Sequence, residues 1–137
     1  MAKTRILCID DDRPTVTIIS GVLKKEGFEV ETALDGSEGL KKARSLKPDL
    51  IILDIAMPKM DGFQVHRHLR ENPETARIDV VMLTAKDGVD KIVELNVSSP
   101  SATDLRLGAL EFMSKPVKAK DLIERVKAVL AATGVRA

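Results

Sequence analysis

No tryptophan or tyrosine occurs among the 137 residues of this chain, and phenylalanine occurs only three times. A single-stranded nucleic acid would find almost no aromatic face on which to stack its bases. A strong charge of one sign is missing too. Lysine and arginine total 22 against 21 acids, a net charge of +1, so the overall field draws in neither a nucleic acid nor an anionic membrane. Cysteine occurs once, as Cys8. A single thiol excludes an intrachain disulfide and fits a reducing compartment, and its place in Ile6-Leu7-Cys8-Ile9 reads as buried core. Asp10, Asp11 and Asp12 cut that first apolar run short, so no secretory leader is legible. No run approaches the length needed to cross a bilayer. The expectation is a cytoplasmic protein that makes no membrane contact.

What is present is an ordinary globular balance, 44% apolar and 31% charged, at a length that suits one domain over residues 1–137. Short apolar runs (Arg5–Ile9, Phe28–Thr32, Leu50–Leu53, Val80–Leu83 and Glu111–Ser114) alternate with segments of helical period. Leu50-Ile51-Ile52-Leu53 and Val80-Val81-Met82-Leu83 are continuous rather than alternating, as strands covered on both faces are. Between Pro14 and Glu26 an apolar stripe runs through Ile18, Ile19, Val22 and Leu23, and Gly27 is a stop signal. Leu40, Ala43 and Leu46 share one face; Phe63, Val65, His66 and Leu69 share another. Leu122, Ile123, Val126, Val129 and Leu130 form a third. Five strands separated by such helices predict an α/β fold with a mostly parallel sheet. One stretch breaks the rhythm: residues 96–104, polar and small around Pro100, read equally as a second short helix or a mobile loop.

Ligands of an open α/β sheet bind beyond the carboxyl ends of its strands. Asp10 and Asp11 follow the first strand, Asp54 the third, Thr84 the fourth and Lys115-Pro116 the fifth. Carboxylates crowded together repel unless a cation compensates. Mg²⁺ suits a site of few hard oxygen ligands and retained water. A transition-metal site is disfavoured, because His66 and His68 fall in a helix and Cys8 in a buried strand. With a metal and Lys115 neutralising charge and Thr84 donating a hydrogen bond, Asp54 could attack a phosphoryl group and form a mixed anhydride. Singly, each residue has a plainer explanation as a helix cap or solvated side chain.

Together, Ile6-Leu7-Cys8-Ile9-Asp10-Asp11, Asp54-Ile55-Ala56-Met57-Pro58-Lys59-Met60-Asp61-Gly62, Thr84-Ala85-Lys86-Asp87 and Lys115-Pro116 closely resemble the response-regulator receiver family of two-component signalling. The resemblance implies a doubly wound, flavodoxin-like fold with strand order 2-1-3-4-5 and helices on both faces. It implies Asp54 as phosphoacceptor, Asp11 as a direct Mg²⁺ ligand, Asp10 acting mainly through water, and the carbonyl of Ala56 as a further ligand. Thr84 and Lys115 would contact the phosphoryl group, Lys115-Pro116 would be cis, and Phe112 would be the switch aromatic. Asp61-Gly62 would shape the turn into the third helix. Ala56 and Lys86 would influence how readily water reaches the acyl phosphate. Implied partners are a histidine kinase or histidine phosphotransfer protein as donor, and a downstream protein or output domain as target, with homodimerisation an option. Neither His66 nor His68 suits the role of donor, both reading as solvated helix surface. The chain departs from the family in its longer interval between Thr84 and Lys115, with the excess near 96–104. This falls in the region of the family's fourth helix, where a private recognition surface is expected. A phosphorylation-independent interaction module is the alternative function, and a phosphohydrolase with an aspartyl-phosphate intermediate a third. Whether the chain stands alone or is part of a longer protein stays open.

Overall fold

The computed structural model describes residues 3–84 and 111–132. Residues 96–104 and the Ala85-Lys86-Asp87 part of the fourth-strand motif lie outside them. In order come β1 (Arg5–Ile9), α1 (Arg13–Lys25), β2 (Glu29–Ala33), α2 (Gly36–Leu46), β3 (Leu50–Asp54), α3 (Gly62–Glu71), β4 (Asp79–Thr84), β5 (Glu111–Ser114) and a helix at Ala119–Ala132. All strand pairs are parallel, in the order β2-β1-β3-β4-β5. The flavodoxin-like, doubly wound arrangement is thus the one expected.

The pleat sends alternate residues to opposite faces, and two cores result. Ile6, Cys8, Leu50, Ile52, Val81, Leu83 and Met113 pack beneath α1 and the Ala119–Ala132 helix, against Ile19, Leu23, Leu122 and Val126. Leu7, Ile9, Ile51, Leu53, Val80 and Met82 pack beneath α2 and α3, against Ala43, Phe63, Val65 and Leu69. Every residue of β3 is buried, which is why its sequence shows no polar alternation.

Each of the first three helices is started by an aspartate. Asp12, Asp35 and Asp61 accept from the backbone N–H of Thr15, Glu38 and Gln64, satisfying donors that the first turn leaves free. At α3 the cap is reciprocal, since the Gln64 side chain accepts from the Asp61 N–H at 2.9 Å. Gly27, at φ 96°, terminates α1 as its sequence predicts. Lys47 does the same for α2 in a left-handed conformation without being glycine.

Two sequence expectations need correction. Ile18, assigned to the apolar stripe of α1, is 58% exposed; Val16, Ile19 and Leu23 define the buried face instead, at spacings of three and four residues. His66, read as solvated surface, is fully buried, while His68 is exposed. The helical period had placed His66 beside Phe63 and Leu69, and that period prevails over its polarity. Cys8 is completely buried, and burial pushes its thiol up to about 12. Native protein is therefore expected to leave Cys8 unmodified by an aromatic disulfide reagent at pH 8, with one equivalent reacting after denaturation. Rapid labelling without denaturant would contradict the packing of β1.

Candidate functional site

The register of the sheet decides what meets at its carboxyl end. Ile9 pairs with Leu53, Asp54 with Leu83, and Thr84 with Ser114. The residues that end these strands or follow them, Asp10, Asp54, Thr84 and Lys115, are therefore carried to one rim although the chain separates them widely. Asp10 is held by two backbone bonds: its N–H donates to Ala33 O at 3.1 Å, and its Oδ1 accepts from Asp12 N–H at 2.9 Å. Lys115 is placed by its own N–H, which donates to Thr84 O at 2.7 Å, and its bond to Pro116 is cis.

Carboxylate oxygens of Asp10, Asp11 and Asp54 all lie within 4.8 Å of one another. Asp10 and Asp54 are buried and Asp11 is exposed, so the cluster opens to solvent through Asp11. The Lys115 ammonium reaches between the two buried acids, 2.9 Å from Asp10 Oδ2 and 3.2 Å from Asp54 Oδ1. Burial is the main cause that pushes the Asp54 carboxyl up to about 7. The negative charge of Asp10 adds to the rise and Lys115 works against it. Burial also works against the Lys115 charge, but hydrogen bonding to Asp10 and the field of Asp54 outweigh it and raise that pKa. One ammonium thus faces three carboxyls, and the site is short of positive charge. An all-oxygen donor set with an open side fits a hard divalent cation.

Thr84 is buried at the end of β4. Ala56 is exposed in the loop just after Asp54. That loop is folded back by Ile55, whose carbonyl accepts from Met57 N–H at 3.2 Å and Gly62 N–H at 2.8 Å. Gly62 is buried against this backbone: a Cβ there would sit 2.5 Å from Asp54 O and 2.8 Å from Ile55 Cα. Sequence reading noted Asp61-Gly62 only as a turn; the Asp-x-x-Gln spacing could have revealed the capping box, but nothing in the sequence marks this close approach. Phe112 lies on β5 opposite Met82, half-buried against the core beneath α2 and α3. Asp12, which follows Asp10 and Asp11 in sequence, caps α1 and is not among the three carboxylates of the cluster.

Comparison with known proteins agrees with this geometry. The sequence model of the response regulator receiver domain matches residues 6–127. The alkaline phosphatase synthesis transcriptional regulatory protein PhoP of Bacillus subtilis is 41% identical over 127 residues, covering 92% of this chain and 48% of that protein. Response regulator PleD of Caulobacter vibrioides is 38% identical, covering 93% of this chain and 26% of its own length. The chain therefore spans less than half of either relative. Among solved structures, the chemotaxis protein CheY4 of Vibrio cholerae superposes with a TM-score of 0.79 at 31% identity, covering 94% of this chain and 100% of that one. A putative response regulator from Chloroflexus aurantiacus gives 0.80 at 28% identity, covering 95% and 99%. Strand order, the acidic rim with its lysine, and a match over nearly the whole sequence converge: the chain belongs to the response regulator receiver domain family.

Proposed function

We propose that Asp54 is the phosphoacceptor of this phosphorylation-dependent signalling domain. The supporting observation is its carboxyl, buried at a strand end, 3.2 Å from the Lys115 ammonium and within the acidic cluster. An ionised Asp54 oxygen attacks the phosphorus of a phosphohistidine on a kinase or phosphotransfer protein. A P–O bond forms, the P–N bond breaks, and the imidazole leaves with the electron pair and takes up a proton. The product is an acyl phosphate. Lys115 lies beside the attacking carboxylate and offsets the charge that accumulates on the phosphoryl oxygens. Thr84, at the end of the neighbouring strand, would donate a hydrogen bond to one of them.

Asp10, Asp11, Asp54 and the carbonyl of Ala56 would hold Mg²⁺, which would supply further positive charge at those oxygens. Phe112 would report the change at Thr84 to the core beneath α2 and α3. We take residues 1–137 as one domain, with 96–104 as its distinctive recognition segment.

Incubation with phosphoramidate and Mg²⁺ is expected to add one phosphoryl group, about 80 Da by intact mass. The adduct should be absent with chelator and located at Asp54 by peptide mapping after borohydride reduction. A folded protein that gains no adduct would instead be a phosphorylation-independent binding module. More than one equivalent of phosphate released per chain from a non-protein donor would point to a phosphohydrolase.

A further inference from the structure

The loop between Asp54 and α3 carries successive tight bends. Ile55 O accepts from Met57 N–H at 3.2 Å, and Pro58 O accepts from Met60 N–H at 2.7 Å. Each bond closes a three-residue γ-turn. Lys59 is the central residue of the second, with φ 69°, the sign of the rare and strained form. A non-glycine residue keeps such a conformation only where its surroundings hold it there. Lys47, the other described non-glycine residue with positive φ, ends α2, where a left-handed residue commonly occurs. Lys59 ends no helix, and it is exposed.

The residue that follows it is anchored. Met60 is half-buried and packs against the core beneath α2 and α3. Its seat is a notch at Gly36, the first residue of α2. A Cβ on Gly36 would lie 3.0 Å from Met60 Sδ, 3.2 Å from Met60 Cβ and 2.8 Å from Val65 Cγ2. The missing side chain therefore leaves room for Met60 from the loop and for Val65 from α3. We infer that Met60 is a positioning residue for the cation: seated at Gly36, it holds the strained loop in the bend that carries Ala56. Without this anchor the strain at Lys59 would relax through the loop, and Ala56 would move with it. The inference rests on the proposed role of the Ala56 carbonyl as a Mg²⁺ ligand.

The test reads Mg²⁺ affinity from amide NMR shifts of the full chain, with no phosphoryl donor present. Met60→Ala is expected to bind Mg²⁺ about tenfold more weakly, the effect of losing a group that orients a metal ligand. Met60→Leu refills the notch and should stay within about threefold of wild type. Adding Lys59→Gly to Met60→Ala should recover at least about threefold, since glycine takes a positive φ without strain. Phosphoramidate labelling of Met60→Ala should need more Mg²⁺ but approach the wild-type rate at saturation. Val65→Ala empties the other half of the notch from α3. It should lower the melting temperature while keeping Mg²⁺ affinity within about threefold of wild type. Equal weakening in Val65→Ala would reduce the effect to core packing and overturn the inference. So would wild-type affinity in Met60→Ala, while labelling of Asp54 would leave the phosphoacceptor reading standing. A wild-type protein that binds no Mg²⁺ and gains no adduct would overturn that reading itself.

Discussion

Replacing the phosphoacceptor, Asp54→Asn, is expected to make the metal-free protein more stable, and increasingly so as pH rises from about 4 to about 7. The free carboxyl ionises near 3.8, whereas burial and Asp10 raise it to about 7 in the folded protein. Between those values the folded state holds a proton that the unfolded state has released. Stability then falls as pH rises, at about 1.36 kcal/mol per unit, and the loss is complete once pH passes the folded value. Over the whole window the upper limit is about 4 kcal/mol. Asparagine does not titrate, so the variant's profile should lack this component. Lys115 keeps its 2.9 Å partner Asp10 in the variant, so no buried cation is stranded. Thermal melts in chelator at pH 5 and pH 8 would show the difference as a gap between the proteins that widens with pH. Parallel profiles would mean that Asp54 is not held under strain. Added Mg²⁺ should narrow or reverse the gap, because a ligand stabilises the form that binds it better and the variant has lost one carboxylate donor.

Gly62→Ala should be the most damaging single-methyl change near the site. The new carbon would approach backbone atoms, Asp54 O at 2.5 Å and Ile55 Cα at 2.8 Å, and backbone cannot rotate aside as a side chain can. Either α3 moves outward or the end of β3 moves, and Asp54 is the last residue of β3. A cost of about 2–4 kcal/mol is expected. Phosphoramidate labelling should slow by about a hundredfold, the usual consequence of misplacing a reacting group by about 1 Å. Gly21→Ala is the matched control. It lies within α1 with nothing within 4 Å of an added carbon, and should stabilise by up to about 1 kcal/mol. Labelling at the wild-type rate in Gly62→Ala would show that the turn does not position Asp54.

The fold was legible because burial on both faces leaves an unbroken apolar run, as at Leu50–Leu53, and because helices of ordinary length separate the runs. The rim was legible because a parallel sheet delivers all its strand ends to the same side. What sequence could not supply was environment. Nothing in the string Asp10-Asp11-Asp12 says that the first is fully buried beside Lys115, the second faces solvent, and the third caps a helix. Polarity misled at His66, since one helical turn can bury an imidazole if its neighbours at three and four residues are apolar. Apolarity misled at Ile18, which sits off the face set by Val16, Ile19 and Leu23. The close approach at Gly62 depends on two backbones separated by the whole β3–α3 loop, and no local pattern encodes that.

The alternation of core residues across the sheet has a consequence for how the sequence can vary. Cys8 and Ile52 belong to one core, Leu7 and Ile51 to the other, and the strand backbones divide them. Contacting side chains couple energetically, whereas separated ones add nearly independently. The domain therefore contains two nearly autonomous ledgers of mutation: a substitution beneath α1 is compensated beneath α1, and one beneath α2 and α3 within that layer. Phe112 is entered in the second. Lineages could remodel the layer coupled to that aromatic while the opposite layer, with its own apolar packing, stayed under an unaltered set of constraints.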